Sequence, residues 1–322
     1  MGENMLELLE EIGDAKTIGI AGHVRPDGDC VGSCLGMYGY LKNACPNAKI
    51  TVFLEQPAEI FSFLKGYEEI NTEFPDQGAA DVFIALDSSD LERLGAAKDY
   101  FLAAKKTICI DHHISNRRFG DLTVLDVEAS STCEMLFWLF EKKYIDVEVA
   151  KALYTGIVHD TGVFQYTNMK SGSFAAVGAL VGYNFDASQI IEETFNQKTY
   201  VQNQILGRAL LESILFMDGK CVASVVDMKM MDFYQVSSSD LDGIINQLRV
   251  TKGVECAIFL YETRSLEYKV SMRSNGIVNV AEIASYFGGG GHVRAAGCTM
   301  SGTYYDVLNN LSLHIERQLK EA

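Results

Sequence analysis

One short segment of the chain concentrates carboxylates and an imidazole, the groups that bind divalent metal ions. It reads HVRPDGD, begins at His23 and carries carboxylates at Asp27 and Asp29. Pro26 and Gly28 favour a turn here rather than a helix. The two carboxylates repel each other unless a bound cation neutralises them. The segment therefore predicts a metal site, although a solvated acidic loop with an unrelated histidine also fits this pattern taken alone.

Asp87 is a second candidate ligand, because it directly follows the apolar run Val82–Leu86. Taken alone, an aspartate at a strand end is more often the N-cap of a helix, and the serines after it favour that alternative. Ligands of α/β sheets, however, bind beyond the C-terminal ends of the strands. Asp87 becomes a candidate metal ligand because other acidic segments are predicted to reach the same edge.

Two segments that contain histidine complete the set. Asp111, His112 and His113 follow another apolar run, and adjacent histidines point in different directions along an extended segment. One of them can bind metal while the other faces substrate. Asp160 ends a predicted helix, and we expect its neighbour His159 to pack rather than to bind metal. All these segments fall at the edge where an α/β site forms.

A glycine-rich segment, residues 288–297 (GGGGHVRAAG), has the composition of a phosphate-binding loop. Glycines such as Gly290 and Gly291 expose backbone N–H groups and permit close approach of a phosphate. His292 and Arg294 add cationic donors, and arginine suits bidentate recognition of phosphate. We therefore expect a loop that binds a phosphate of the substrate; a flexible connector is the alternative.

Alternating strands and helices must position these acidic segments. Short apolar runs predict strands, and the stretches between them predict helices. This alternation is typical of an α/β fold with a mostly parallel sheet and helices on both faces. The predicted strands are Lys16–Gly22, Ile50–Leu54, Val82–Leu86 and Thr107–Ile110, and the predicted helices are Val31–Asn43, Leu91–Leu102, Cys133–Lys143, Val147–Asp160, Ser173–Val181 and Ser188–Asn196.

The pattern changes after residue 217, where Asp-Gly marks a turn. We predict a catalytic domain over 1–196, a linker helix over 197–217 and a smaller C-terminal α/β substrate-binding domain over 218–322. A cleft is expected between the two domains. The predicted elements of this part are a helix over Val201–Leu215, strands over Cys221–Val226, Ala257–Tyr261 and Tyr268–Met272, and helices over Val280–Phe287 and Tyr305–Leu319.

Charge and composition narrow the classes of function. The net charge is −16, and almost all of it precedes Asp218, since later residues hold 10 Lys and Arg against 12 Asp and Glu. An acidic surface argues against binding long duplex nucleic acid, but not against short substrates. Eight cysteines without a CxxC pair argue against a zinc site built on thiolates. The polar N-terminus and the short apolar runs predict a cytoplasmic protein without a membrane segment.

In the order of its motifs the chain resembles the DHH phosphoesterase family. HxxPDGD, a following Gly-Ser, Asp87, the sequence DHH at 111–113 and the sequence DTG at 160–162 occur in the order of that family. The glycine-rich segment resembles the signature of the DHH-associated C-terminal domain, so the match spans about residues 16 to 300. The two-domain form is similar to the nanoRNase/pAp-phosphatase group. That group degrades oligoribonucleotides and 3′-phosphoadenosine 5′-phosphate (pAp).

This resemblance also implies roles for individual residues. Asp87 would bridge two metal ions, His113 would contact the scissile phosphate, and Asp111 would orient the histidines. Independently of the resemblance, carboxylates with a few imidazoles and no thiolate favour Mn²⁺, with Mg²⁺ or Co²⁺ as substitutes. The resemblance implies that one ion would be held by His23, Asp27 and Asp87, and the other by Asp29, Asp87, His112 and Asp160.

Further positions match the family near its substrate. Asn116 and Ser131, in the sequence SST, would lie beside the substrate, while His292 and Arg273 would bind its terminal phosphate. Many relatives carry arginine where this chain has Gln165. One phosphate contact of those relatives is therefore expected to be missing.

The expected reaction is hydrolysis by a water that two metal ions activate for in-line attack on phosphorus. No covalent enzyme intermediate is needed, so neither Cys30 nor Ser33 is expected to act as a nucleophile. The expected substrates are short oligoribonucleotides, pApA and pAp. A fixed span between the metal site and the glycine-rich segment would limit the substrate to a few nucleotides.

Alternative functions differ in substrate or in class. A cyclic-dinucleotide phosphodiesterase would use the same chemistry, and only the shape of the pocket would distinguish it. A RecJ-like exonuclease would need a basic groove or an added binding domain. A pyrophosphatase would have a different C-terminal domain, and a non-catalytic nucleotide sensor would lack a ligand. The sequence leaves a homodimer open.

Overall fold

The computed structural model describes residues 7–75, 78–165 and 169–321. The chain divides into two compact units, the first ending at Gln197 and the second beginning at Lys198. Each unit has its own sheet and covering helices, which confirms the predicted α/β class. The separate linker over 197–217 stays a prediction; the helix Tyr200–Leu211 buries Ile205 and Ala209 in the core of the second unit.

The sheet of the first unit consists of five parallel strands, in the order β2-β1-β3-β4-β5 given below. The third and fourth strands along the chain are fully buried, as the continuous apolar runs of parallel sheets require. The third strand is at the centre of the sheet, and the fourth lies beside it. The fifth strand was not predicted because it has only four residues, all partly exposed. The strands are β1 (Thr17–Ala21), β2 (Lys49–Phe53), β3 (Val82–Leu86), β4 (Thr107–Asp111) and β5 (Leu122–Leu125).

Helices cover both faces of this sheet, as predicted. The helix expected over Leu91–Leu102 is interrupted at Gly95, where φ is +54° and a β-carbon would lie 2.5 Å from the Val24 side chain. A 3₁₀ stretch over Leu91–Ala97 therefore precedes a short α-helix. The helices of the unit are α1 (Leu8–Ile12), α2 (Gly28–Ala44), α3 (Lys98–Ala103), α4 (Thr132–Leu139), α5 (Val147–Asp160), α6 (Ser171–Val181) and α7 (Ala187–Ile191), which continues as a π turn over Glu192–Asn196.

Helices α2 and α5 pack closely because α2 presents a row of glycines. Gly28, Gly32 and Gly36 are four residues apart and therefore share one face of the helix. A β-carbon at Gly32 would lie 2.5 Å from the carbonyl oxygen of Ala152 in α5. This close approach brings Asp160, the last residue of α5, towards the first turn of α2.

The second unit has a six-stranded mixed sheet in the order β10-β11-β9-β8-β7-β6, in which only β7 and β8 are parallel. One face packs against α11 and α12, and the other packs partly against α8 and α10. The elements are α8 (Tyr200–Leu211), β6 (Ile214–Phe216), β7 (Cys221–Val226), α9 (Met228–Tyr234), α10 (Ile244–Arg249), β8 (Cys256–Arg264), β9 (Glu267–Ser274), α11 (Val280–Tyr286), β10 (Gly290–His292), β11 (Ala295–Ser301) and α12 (Tyr304–Glu321).

Two local predictions in this unit were wrong. The helix expected over Val201–Leu215 ends at Leu211, because the residues from Ile214 onward pair with β7 instead. The glycine-rich segment is not a loop: β10 and β11 pair as an antiparallel hairpin. The glycines allow this pairing, since a β-carbon at Gly291 would lie 2.5 Å from the carbonyl oxygen of Ala295. Within the described ranges, no helix combines the length and the apolar character needed to cross a membrane.

Candidate metal centre

His23 and Asp27 lie between the end of β1 and the first turn of α2. Asp27 caps α2: its Oδ1 accepts hydrogen bonds from the backbone N–H groups of Asp29 and Cys30, both at 3.1 Å. His23 Nδ1 lies 2.9 Å from the carbonyl oxygen of Val24, to which it can donate. This leaves Nε2 of His23 facing Asp27 Oδ2 at 3.6 Å, the orientation that a metal ligand requires.

Asp29 is a buried carboxylate, 1% exposed, that the N-terminus of α4 holds in place. Its two oxygens accept hydrogen bonds from the backbone N–H groups of Thr132 at 2.7 Å and Cys133 at 3.0 Å. Burial and the negative charges of Asp87 and Asp160 raise the pKa of Asp29 well above its ordinary value. A positive charge nearby is needed if this carboxylate is to be ionised.

Asp87 stands at the centre of the cluster and is 2% exposed. Its Oδ2 lies 3.5 Å from His23 Nε2, and its Oδ1 lies 3.6 Å from His112 Nε2 and 3.7 Å from His113 Nδ1. Its φ of +53° is unusual for a residue with a β-carbon, and such backbone conformations concentrate at functional sites. Asp87 is not a helix cap; that position belongs to Asp90.

His112 and His113 follow the last residue of β4 and bring both their rings to Asp87. The ring centroids are 4.7 Å apart. The expectation that the two side chains diverge was wrong, because the pair lies beyond the strand, where the alternation of an extended segment no longer applies. His112 Nε2 also lies 3.6 Å from Asp160 Oδ2 and 4.0 Å from Asp29 Oδ2.

Asp111 is fully buried, and all its neighbours are donors. Its Oδ1 accepts from His113 Nδ1 at 2.7 Å, and its Oδ2 accepts from the Asn116 amide at 2.7 Å. Burial alone would raise the pKa of Asp111, but these two hydrogen bonds and the charge of His113 lower it. The same contact with Asp111 raises the pKa of His113. Asp111 thus orients the ring of His113.

Asp160 lies at the C-terminal end of α5, where the helix dipole disfavours a negative charge. Burial, with the charges of Asp87 and Asp27, raises the pKa of Asp160 to about 6 despite the opposing effect of His112. Its neighbour His159 packs instead, as expected: Nε2 lies 2.8 Å from the Thr194 hydroxyl, and the ring contacts Phe61.

The combined cluster contains more negative charge than its histidines can neutralise. In the described part of the chain, no Lys or Arg forms an ion pair with any of its aspartates. Carboxylate and imidazole donors without thiolates suit hard divalent ions. Three groups have ligand atoms that converge within 4.8 Å, and these are His23–Asp27–Asp87, Asp29–His112–Asp160 and Asp87–His112–His113.

Thr132 is a residue of the site that sequence reasoning placed beside the substrate rather than beside the metal ligands. Its hydroxyl donates to Asp87 Oδ1 at 3.1 Å, while its backbone N–H donates to Asp29. Ser131 caps α4 and is fully buried, with its hydroxyl accepting from the backbone N–H of Glu134 at 3.0 Å. Residues 130–134 (SSTCE) contain a signal for the start of α4, since Ser-x-x-Glu marks the start of a helix. The roles expected for Ser131 and Asn116 in substrate binding stay predictions.

The predicted phosphate-binding residues of the second unit come together on its sheet. Gly290, Gly291 and His292 form β10, Arg294 lies in the turn that follows, and Arg273 lies near the end of β9. His292 and Arg273 flank Ala295 in register, so both side chains stand on the same face of the sheet. Arg294 also donates to the Ser274 hydroxyl at 3.3 Å.

Both units are similar to domains of known proteins. Residues 17–157 match the DHH family, N-terminal domain, and residues 218–321 match the DHHA1 domain. The chain is 31% identical over 291 residues to the bifunctional oligoribonuclease and PAP phosphatase NrnA of Thermus thermophilus, which covers 89% of this chain and 85% of the relative. The protein of that name from Bacillus subtilis is 26% identical over 98% of both chains. The crystal structure of an exopolyphosphatase-related protein from Bacteroides fragilis superposes with a TM-score of 0.86 and 27% identity, over 94% of this chain and 92% of that chain.

Proposed function

The chain belongs to the DHH family of phosphoesterases, and from this premise we propose that it is a metal-dependent hydrolase of short oligoribonucleotides and of pAp. The observation that carries the proposal is the position of Asp87. One buried carboxylate has oxygen atoms within 3.7 Å of nitrogen atoms of His23, His112 and His113. Relatives with 25–31% identity carry the names of an oligoribonuclease and PAP phosphatase.

Two groups of side chains would hold a pair of divalent ions, which we propose to be Mn²⁺. His23 and Asp27 would serve one ion, Asp29, His112 and Asp160 would serve the other, and Asp87 would serve both. When bound, such a pair of ions supplies a nucleophilic water at neutral pH and neutralises charge on the phosphoryl oxygens. The close packing of α2, α4 and α5 holds these side chains in place.

His113 is the residue that we propose to contact the scissile phosphate. Its Nδ1–H donates to Asp111, which fixes the orientation of the ring. The contact with Asp111 raises the pKa of His113, and in its protonated form the ring carries an N–H at Nε2 as well. That N–H can donate to a phosphoryl oxygen or to the departing oxygen atom.

Donors of the second unit would recognise the end of the substrate. His292, Arg294 and Arg273, with the backbone N–H groups of Gly290 and Gly291, offer cationic and neutral donors to a phosphate. Asn116 and Ser131 are proposed to lie near the scissile end. A cytoplasmic location stays a prediction from the sequence, and a homodimer stays open.

A panel of substrates tests the proposal. The protein is treated with a chelator, reloaded with Mn²⁺, and assayed on pAp, pApA, a five-nucleotide RNA, cyclic di-AMP and pyrophosphate. Hydrolysis of pAp and of the linear substrates, lost on chelation and restored by Mn²⁺, is the expected result. Preferred hydrolysis of cyclic di-AMP would favour the alternative of a cyclic-dinucleotide phosphodiesterase, and preferred hydrolysis of pyrophosphate would contradict the proposal.

A further inference from the structure

A separate cavity of about 620 Å³ lies within the second unit, and none of the residues discussed so far as substrate contacts lines it. Tyr268 at the start of β9 and Glu262 in β8 are paired in register and line it from the sheet. Residues of β9 alternate between faces, so Tyr268 stands on the face opposite Arg273. The two positions are also five residues apart, which is about 17 Å along a strand. The cavity is therefore distinct from the proposed phosphate-binding surface.

Tyr268 carries a polar group that has no protein partner. Its side chain is 5% exposed, yet within the described part of the chain its hydroxyl makes no hydrogen bond. The hydroxyl oxygen is not fully buried, since Thr123 Oγ1 is the fully buried side-chain polar atom without a partner in the described part of the chain. Burial, followed by the charges of Glu262 and Asp227, raises the pKa of Tyr268. A ligand that enters the cavity can supply the hydrogen bond that the protein does not give this hydroxyl.

Carboxylates give the cavity its charge. Glu262 is held by two backbone N–H groups, those of Met228 at 3.1 Å and Leu266 at 3.2 Å. Asp227 caps α9 through Oδ1, which accepts from the N–H of Met230 at 2.7 Å. Neither carboxylate forms an ion pair with a Lys or Arg of the described residues, as the ion pairs found there involve other groups.

The remaining lining residues include further charged and aromatic side chains. Glu212 lies at the rim and is already paired with Arg208 at 2.5 Å, and Lys229 is exposed. Tyr304 and Tyr305, in the first turn of α12, form an aromatic wall with ring centroids 4.0 Å apart. The faces of tyrosine rings attract cations. Anionic ligands such as phosphate are disfavoured, because Asp227 and Glu262 would repel them.

The carboxylates of this cavity do not form a typical metal-binding group. In the ranges that the structure describes, every group of three or more His, Cys, Asp or Glu residues whose ligand atoms lie within 4.8 Å of one another belongs to the first unit. Asp227 and Glu262 line the cavity together with an aromatic wall, and this combination suits an organic cation.

We propose that this cavity binds an organic cation with primary ammonium groups, of the size of a diamine or a short polyamine. One ammonium group would lie between Glu262 and Asp227 and donate to the Tyr268 hydroxyl. The alkyl chain and a second ammonium group would lie along Tyr304 and Tyr305. This site is independent of the proposed hydrolytic function, because it shares no residue with the metal centre or the glycine-rich segment.

Calorimetric titration of the full chain with 1,4-diaminobutane and with spermidine tests the proposal. The metal centre is first saturated with Mn²⁺, so that added cations do not report on it. We expect both amines to bind and 1,4-butanediol, which has the same chain without charge, not to bind. Equal binding of the diol and the diamine would overturn the proposal. Binding of a lysine-rich peptide without binding of either free amine would overturn the assignment to a small molecule.

Two variants locate the binding. Tyr268→Phe removes only a hydroxyl that makes no hydrogen bond, so the thermal unfolding midpoint without ligand should not fall, while the affinity for 1,4-diaminobutane should fall about fivefold. Glu262→Gln should weaken the affinity about tenfold, because a charge-assisted hydrogen bond is lost.

Matched controls are Tyr286→Phe, an exposed tyrosine of α11, and Glu282→Gln, whose carboxylate pairs with Arg317 at 3.3 Å. Both should bind the diamine as the unchanged protein does. Unchanged affinity in Tyr268→Phe and in Glu262→Gln would overturn the proposal, and hydrolysis by either variant is a separate readout that the proposal does not need.

Discussion

The metal centre and the glycine-rich segment differ in how completely the fold holds their side chains. Asp29, Asp87 and Asp111 are each at most 2% exposed, and every one of them accepts a hydrogen bond from a neighbouring helix or loop. His292 and Arg294, by contrast, are exposed on a short hairpin. Buried and preoriented ligands suit a site that performs the chemistry, whereas exposed donors suit a site that recognises the substrate. Changes in the two regions should therefore alter different kinetic constants.

The largest effect is expected from Asp87→Asn. This variant keeps the shape of the side chain but removes the charge that both metal ions would share, so kcat/KM should fall by about 10³-fold or more. The matched control is Asp90→Asn, three residues away, which affects only a cap of the 3₁₀ stretch. Steady-state assays on pAp with saturating Mn²⁺ measure both. A kcat/KM of Asp87→Asn within tenfold of that of the unchanged protein would contradict the proposed metal centre.

A smaller effect, confined to substrate binding, is expected from His292→Ala. Losing one exposed cationic donor should raise KM for a dinucleotide by about tenfold and change kcat by less than about threefold. Thr299→Ala, an exposed position on the neighbouring strand β11, is the control and should change neither constant. A fall in kcat at unchanged KM would indicate that His292 takes part in the reaction. It would contradict the proposed difference between a metal centre that performs the reaction and a glycine-rich segment that binds the substrate.

Thr132→Val tests whether the hydrogen bond from the Thr132 hydroxyl to Asp87 contributes to metal binding. Valine keeps the branched shape and the backbone N–H that donates to Asp29, but it loses the hydroxyl that donates to Asp87 at 3.1 Å. The Mn²⁺ concentration for half-maximal activity should rise about tenfold, as is typical when a partner of a metal ligand is removed. Thr132→Ser restores the hydroxyl and should restore most of the affinity. Equal Mn²⁺ dependence in all three proteins would show that Asp87 does not need this contact.

A change in ionic strength is expected to have the smallest effect on the kinetic constants. It tests the same difference between the buried metal centre and the exposed glycine-rich segment. Raising the ionic strength from 0.1 M to 1 M shortens the screening length from about 10 Å to about 3 Å, which weakens exposed charge pairs more than buried ones. KM should rise about threefold while kcat stays within about twofold. A salt-dependent fall in kcat at constant KM would indicate that exposed charges serve the reaction itself.

Much of the first unit follows from the sequence because its signals are local. Continuous apolar runs identified β1, β3 and β4, and the edge of a parallel sheet brings the residues that follow such strands together. The close packing of α2 on α5 depends on where glycines meet a partner helix, which periodicity does not reveal. The contact between Thr132 and Asp87 was missed for a related reason. This hydrogen bond joins residues that are 45 positions apart in the sequence. The position of the N-terminus of α4 next to Asp87 depends on the tertiary structure and cannot be deduced from a local pattern.

The second unit was predicted less well because its signals are ambiguous. Glycines at 288–291 are typical of a loop, yet their lack of side chains is what lets β10 approach β11 closely. Ile214 and Leu215 continue a helical pattern, but pairing with β7 takes precedence. The cavity beside Tyr268 has no sequence signature, since its lining comes from four strands, β6 to β9, and two helices, α9 and α12.

The central claim, that Asp87 serves two metal ions at once, is tested most directly by counting bound metal. Chelator-treated protein is dialysed to equilibrium against Mn²⁺, and bound manganese is measured by mass spectrometry for the unchanged protein, Asp87→Asn and Asp27→Asn. We expect about two ions per chain in the unchanged protein, about one in Asp27→Asn and close to none in Asp87→Asn, with all three proteins folded by circular dichroism. Two ions retained in Asp87→Asn, or a single ion in the unchanged protein at saturation, would contradict the central claim.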